Sequence, residues 1–160
     1  MRVEVVEGNL LDQDVEVIVN AWNRNLFPWW LLLPQGVSGE IKRRGGTAPF
    51  RELRHAGVLA LGGAVLTGAG ELPFRGIIHV AGIGFHWRAS TRSIQMSVRN
   101  AIGLASQNRL RSVAFPLIGA GTGGLRPAAV EQLMLTALGE LDFEGEIRVV
   151  RYRQQAQHPR

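Results

Sequence analysis

Apolar positions alternate with charged ones along "RVEVVEG" (2–8), and the run is β-branched, which predicts a strand. "VEVIVNA" (15–21) is nearly continuous in Val and Ile, so it predicts a strand buried on both faces. "GAVLTGAG" (63–70), "RGIIHVAGIG" (75–84), "SVAFPLIG" (112–119) and "EIRVVRY" (146–152) predict four more. Helical spacing takes over elsewhere. In "STRSIQMSVRNAIGLASQN" (90–108), Ile94, Val98, Ala101, Ile102 and Ala105 share one face. "RPAAVEQLMLTALGEL" (126–141) places Pro127 in a first turn and points Val130, Leu133, Met134, Ala137, Leu138 and Leu141 inward. "VSGEIKRRGG" (37–46) reads as a short helix with Ser38 as N-cap, ended by Gly45 and Gly46. "TAPFRELRHAG" (47–57) follows, with Thr47 as cap, Pro49 in the first turn and Gly57 as stop.

Strands alternating with helices in a chain of 160 residues predict one α/β domain with helices on both faces of a largely parallel sheet. That domain spans 1–153, and 154–160 form a polar tail. In such sheets a ligand lies beyond the carboxyl ends of the strands. Three loops therefore matter: those after Val19, after Val80 and after Ile118.

The third loop, "FPLIGAGTGGLRP" (115–127), holds four glycines between a strand and a helix. Glycines let backbone N–H groups approach a ligand, and such groups at a helix N-terminus suit a phosphate. A lysine followed by Ser or Thr is missing, so this is no Walker A loop. A plain linking turn is the alternative. The first loop begins "NAWN", where Asn20 and Asn23 offer donors and acceptors for ribose hydroxyls, or else brace the turn. "GVSG" (36–39) enters a helix and makes a second anion site. Between them, "FPWWLLL" (27–33) carries unusual apolar bulk for a loop. It packs onto the core, walls a site through Trp29 or Trp30, or meets a partner.

Composition narrows the chemistry. Without cysteine there is no disulfide, thiolate zinc site or thiol nucleophile. The N-terminus lacks the pattern of a signal peptide and no apolar run spans a bilayer, so a cytoplasmic protein without a membrane partner is expected. A net charge of +5 attracts anions. His79, flanked by apolar residues in "GIIHVAG", reads as a satisfied core histidine, while His86 lies in a loop beside Trp87 and Arg88. No metal-binding spacing and no nucleophile elbow occurs, so neither metal nor cofactor is expected.

"EGNLL", "VIVNAWN", "GVSGEIKRRGG", "GGAVLTGAGELP", "GIIHVAG" and "VAFPLIGAGTGG" follow in an order that resembles the macro domain, the ADP-ribose-binding module, over residues 3–152. The resemblance implies a three-layer α/β/α sandwich with a mixed, mostly parallel central sheet whose edge strands include antiparallel ones. It implies that Asn9 and Leu10 meet adenine, Asn9 standing where the family usually has Asp. Asn20 and Asn23 lie near the distal ribose. Gly36, Val37 and Ser38 wrap one phosphate, Gly119, Ala120, Gly121, Thr122 and Gly123 the other, and Tyr152 stacks on adenine. Two departures concern catalysis. Ser38 stands where MacroD-type hydrolases have the Asp of G-V-D-G, and Gly123 stands where a lysine-dependent branch has Asp and where other members have an aromatic. The resemblance thus implies a hydrolase of mono-ADP-ribose esters on proteins, or of O-acetyl-ADP-ribose, with Asn23 and Ser38 as atypical catalytic residues. The alternative is a non-catalytic ADP-ribose reader. A nucleic-acid binder, suggested only by the basic charge, lacks an aromatic-plus-basic platform.

Overall fold

The computed structural model describes residues 1–28, 30, 36–84, 86, 88–121 and 123–153. Of the residues singled out above, Trp29, Thr122, Trp87 and the tail 154–160 lie outside the described residues.

Six strands form: β1 (Arg2–Gly8), β2 (Val17–Trp22), β3 (Ala64–Thr67), β4 (Gly76–Ala81), β5 (Ser112–Pro116) and β6 (Glu146–Tyr152). They make one sheet in the order β1-β6-β5-β2-β4-β3. All neighbours pair parallel except β3 and β4. The eight residues 68–75 between β3 and β4 explain the exception, because a parallel pair needs a crossover of about a dozen residues or more. Antiparallel pairing is therefore confined to one edge. The other edge strand, β1, runs parallel to β6 from Arg2↔Glu146 to Gly8↔Tyr152.

Four helices cover the sheet: α1 (Gly36–Gly45), α2 (Ala48–His55), α3 (Thr91–Gln107) and α4 (Pro127–Gly139). The period-two alternation of β2 divides its side chains between two cores. Val17 and Val19 join Ile94, Val98 and Ile102 of α3 and Val130, Met134 and Leu138 of α4. Ile18 and Trp22 join Ile41 of α1 and Phe50 and Leu53 of α2. Helices thus lie on both faces, and β4 is buried along its whole length. Among the described residues no helix is long and apolar enough to cross a membrane.

Local signals explain most helix ends. Ser90 accepts from Ser93 N and Ser93 Oγ accepts from Ser90 N, a reciprocal cap that starts α3. Thr47 precedes α2 but makes no side-chain capping bond, and Pro49 in the first turn serves instead. Ser38 is not an N-cap. The helix begins two residues earlier, at Gly36, whose φ of 55° is one that glycine tolerates. A 3-10 helix that the apolar pattern does not signal, Leu10–Asp12, follows β1.

Candidate functional site at the carboxyl edge of the sheet

Five parallel strands send their carboxyl ends to one edge, so Asn9, Asn23, Gly119 and Tyr152 emerge together there. The register of β2 and β4 sets Asn20 beside His79, and both are fully buried. A hydrogen-bonded chain runs through them. Ser38 Oγ donates to Asn20 Oδ1 at 2.9 Å, and Asn20 Nδ2 donates to His79 Nδ1 at 3.1 Å. His79 Nε2 then carries the proton and donates to Thr67 Oγ1 at 2.9 Å, whose own hydrogen goes to the Gly68 carbonyl at 2.9 Å. Burial holds the imidazole neutral, with its pKa lowered to about 3. This is the satisfied core histidine expected from its flanks. Its link to Ser38 across two elements is not readable from them.

The chain fixes what Ser38 offers. Its hydroxyl hydrogen is committed to Asn20, so toward any further partner its oxygen can only accept. Around it, Gly36, Val37 and Ser38 form the first turn of α1, where backbone N–H groups have no partner inside the helix. Asn23, at the end of β2, is complementary. Its Oδ1 accepts from Asn25 N at 2.6 Å, which leaves Nδ2 to donate. Beneath this corner, Trp22 and Phe50 lie 5.3 Å apart, and Phe50 meets His79 edge-on at 5.7 Å. The chain's one lysine, Lys42, lies over both rings, 4.7 Å from Phe50 and 5.4 Å from Trp22, with its pKa lowered by burial.

The glycine-rich turn after β5 is held from within. Leu125 N donates to Gly119 O, Gly124 N to Gly121 O, and Ala89 N to Gly123 O. Gly119 and Gly123 are buried, Ala120 is half-buried against the core, and Gly121 is exposed. A Cβ on Gly123 would stand 2.5 Å from Gly119 O and 2.9 Å from Ala89 Cβ, whereas one on Gly121 would meet nothing within 4 Å. The missing aromatic or Asp at 123 thus has a steric reason: Ala89 and the Gly119 backbone occupy its room.

At the far side, Gly8 pairs with Tyr152, so the exposed Tyr152 ends β6 next to the turn that begins at Asn9. Asn9 caps the 3-10 helix through Leu11 N and donates to Glu40 Oε1 at 2.9 Å, so it also ties β1 to α1. Leu10 is buried. Trp30 is half exposed, and the Arg54 guanidinium lies 4.3 Å from its ring centroid. A separate cleft of about 320 Å³, beside Arg109, Arg111, Asp142 and Glu144, opens at the opposite end of the sheet.

The family model described as Macro domain matches residues 19–134. The chain belongs to the macro domain family. A Streptomyces griseus macro domain-containing protein is 40% identical over 129 residues, covering 76% of this chain and 70% of that protein. An Escherichia coli protein named O-acetyl-ADP-ribose deacetylase is 32% identical over 147 residues, covering 87% and 79%. The Oceanobacillus iheyensis macrodomain solved with ADP superposes with a TM-score of 0.81 at 26% identity, covering 95% of this chain and 84% of that one. In this macro domain a serine oxygen is backed by a buried Asn–His–Thr relay. The roles of Thr67 and Ala89 were not readable from the sequence: Thr67 lies within "GGAVLTGAGELP" and Ala89 in no motif, and each acts through tertiary packing.

Proposed function

We propose that this macro domain binds ADP-ribose along the carboxyl edge of its sheet and hydrolyses its esters, either mono-ADP-ribose on acidic protein side chains or O-acetyl-ADP-ribose. The convergence of two glycine-bearing turns, at 36–38 and 119–123, with Tyr152 and Asn9 on one edge carries this reading. Adenine stacks on Tyr152 next to Asn9 and Leu10. One phosphate takes the N–H groups of Gly36, Val37 and Ser38. The other takes those of Gly119, Ala120, Gly121, Thr122 and Gly123. The distal ribose reaches Asn23, near the buried Asn20, and Trp29 or Trp30 walls it. Names of relatives support the ligand class: one is an O-acetyl-ADP-ribose deacetylase, and another was solved with ADP.

Asn23 and Ser38 divide the work by polarity. Asn23 Nδ2 donates to a ribose or ester oxygen, and Ser38 Oγ accepts a hydrogen from the attacking water. The water oxygen bonds to the ester carbonyl carbon, and the carbonyl–ribose oxygen bond breaks. One water proton passes to a diphosphate oxygen of the ligand and from there to the departing ribose oxygen, which leaves as a hydroxyl, while the other stays with the new carboxyl group. General-base help typically contributes 10²–10⁴-fold, so a site without a carboxylate is slow.

One observation favours a reader instead. Glu40, the acid on α1, is held by Asn9, Arg43 and Arg44 and is not presented as a base. Incubation with glutamate-linked and serine-linked ADP-ribosylated substrates and with O-acetyl-ADP-ribose separates the two. Release from an ester and not from serine supports the hydrolase. Tight ADP-ribose binding without release from any ester makes the protein a reader. Neither binding nor release overturns both.

A further inference from the structure

The loop that leaves Asn23 is fastened to the end of α2. Arg24 Nε donates to Leu59 O and Leu59 N to Arg24 O, both at 2.8 Å. Asn25, at φ 63°, donates to Leu53 O at 3.0 Å and Gly57 O at 2.9 Å. On the outside of this joint stand Leu26, Phe27, Trp30 and Val58, at 37%, 40%, 52% and 61% exposure. They are four of the six exposed large apolar side chains among the described residues, so apolar exposure is gathered here and not scattered. Charge is gathered too. Residues 24–60 hold six Lys and Arg against two Glu. On α1, Arg43 and Arg44 pair with Glu40 and Asp12, and Lys42 lies over Phe50 and Trp22, so Arg51 and Arg54 supply the charge of this surface. Both acids are engaged: Glu40 as described, and Glu52 by Gly68 N at 3.1 Å. Arg51 and Arg54 stand exposed on α2.

We propose that this basic, apolar surface receives an acidic segment of the protein that carries the ADP-ribosyl group. An apolar side chain of the segment lies against Trp30 and Val58, and its carboxylates face Arg51 and Arg54. The inference rests on the proposed ADP-ribosyl ester reading: the surface starts three residues beyond Asn23, and an acidic segment complements the charge of Arg51 and Arg54. A protein segment fits better than a nucleic acid: Arg54 already covers a face of the Trp30 ring where a base would stack, and Leu26 and Val58 offer aliphatic contact.

The test compares wild type with Arg54→Glu, Val58→Asp, the double variant and Arg51→Glu, each checked by thermal melting. The probes are a labelled glutamate-rich peptide with one ADP-ribosylated Glu, the same peptide unmodified, a lysine-rich counterpart, a single-stranded oligonucleotide and free ADP-ribose. In the folded double variant, affinity for the modified acidic peptide is expected to fall at least about tenfold, towards that of free ADP-ribose. Affinity for ADP-ribose itself stays within about twofold. If a single variant melts early, Arg51→Glu carries the comparison. Unchanged peptide affinity overturns the proposal, as does equal binding of the lysine-rich peptide. Loss confined to the oligonucleotide assigns the surface to nucleic acid and also overturns it. If wild type fails to bind ADP-ribose, the function reading falls. Binding of the unmodified acidic peptide, and its loss in the double variant, then decides the surface by itself.

Discussion

His79 never meets a ligand in this account, yet it decides what Ser38 presents. Its lowered pKa, about 3 against an ordinary 6.5, comes from complete burial. The unfolded chain therefore takes up a proton that the folded chain refuses. The stability linked to this histidine is full above pH 6.5 and is lost as pH falls towards 3. From pH 6.5 to pH 4 the loss is about 3 kcal/mol. Urea titrations across that range are expected to show it in wild type, and a much flatter profile in His79→Gln; equal slopes would contradict it. The state of His79 was legible from "GIIHVAG", but its partners were not. Asn20 lies 59 residues away and Thr67 lies 12 away, and only the β2–β4 register and the β3–β4 pairing join them. The same relay bears on catalysis. Asn23→Ala is expected to lower the single-turnover rate about 10²-fold while ADP-ribose binding weakens far less, because positioning counts most in the transition state. Loss of melting temperature with an unchanged rate per folded molecule would make Asn23 a brace only. Ser38→Asp sets a carboxylate against Asn20 Oδ1. The amide must turn over, and His79 must move its proton to Nδ1. A higher rate at a lower melting temperature is the expected outcome.

At the level of elements, the two middle glycines of the β5–α4 turn, Gly121 and Gly123, separate ligand contact from packing. Gly121→Glu adds bulk and negative charge where a Cβ meets nothing, so the fold is kept while ADP-ribose affinity falls at least about tenfold. Gly123→Asp drives a side chain into Gly119 O and Ala89, so it costs about 1–3 kcal/mol of stability. Melting and calorimetry on both variants check the pair; a stable Gly123→Asp would refute the steric explanation. The apolar faces of α3 and α4 were readable because a 3.6-residue period states which side is buried. The start of α1 was not: Ser38 has the chemistry of an N-cap, but a glycine at positive φ two residues earlier takes the turn. Strand order was equally hidden. Periodicity says that a strand is buried, not which neighbour it pairs with, and the return of β6 between β1 and β5 is a long-range choice.

For the whole molecule, the proposed site draws on segments as far apart as Asn9 and Tyr152, joined only by parallel pairing at the sheet's edge. Its glycine turns were legible one by one as anion sites. Their place at one edge of the sheet was legible only through the order of motifs, and their union into one ligand groove is the proposal. That union makes the central claim measurable. In the proposed pose ADP-ribose spans both halves of the edge, so the second contact forms within a complex already made and its effective concentration is high. AMP engages only the Tyr152 and Asn9 half, and ribose 5-phosphate only the Asn23 and Ser38 half. Calorimetry of the wild-type chain with the three ligands, under one set of conditions, is the direct measurement. ADP-ribose is predicted to bind at least about tenfold more tightly than either fragment. Equal affinities, or no heat with ADP-ribose, would contradict the account.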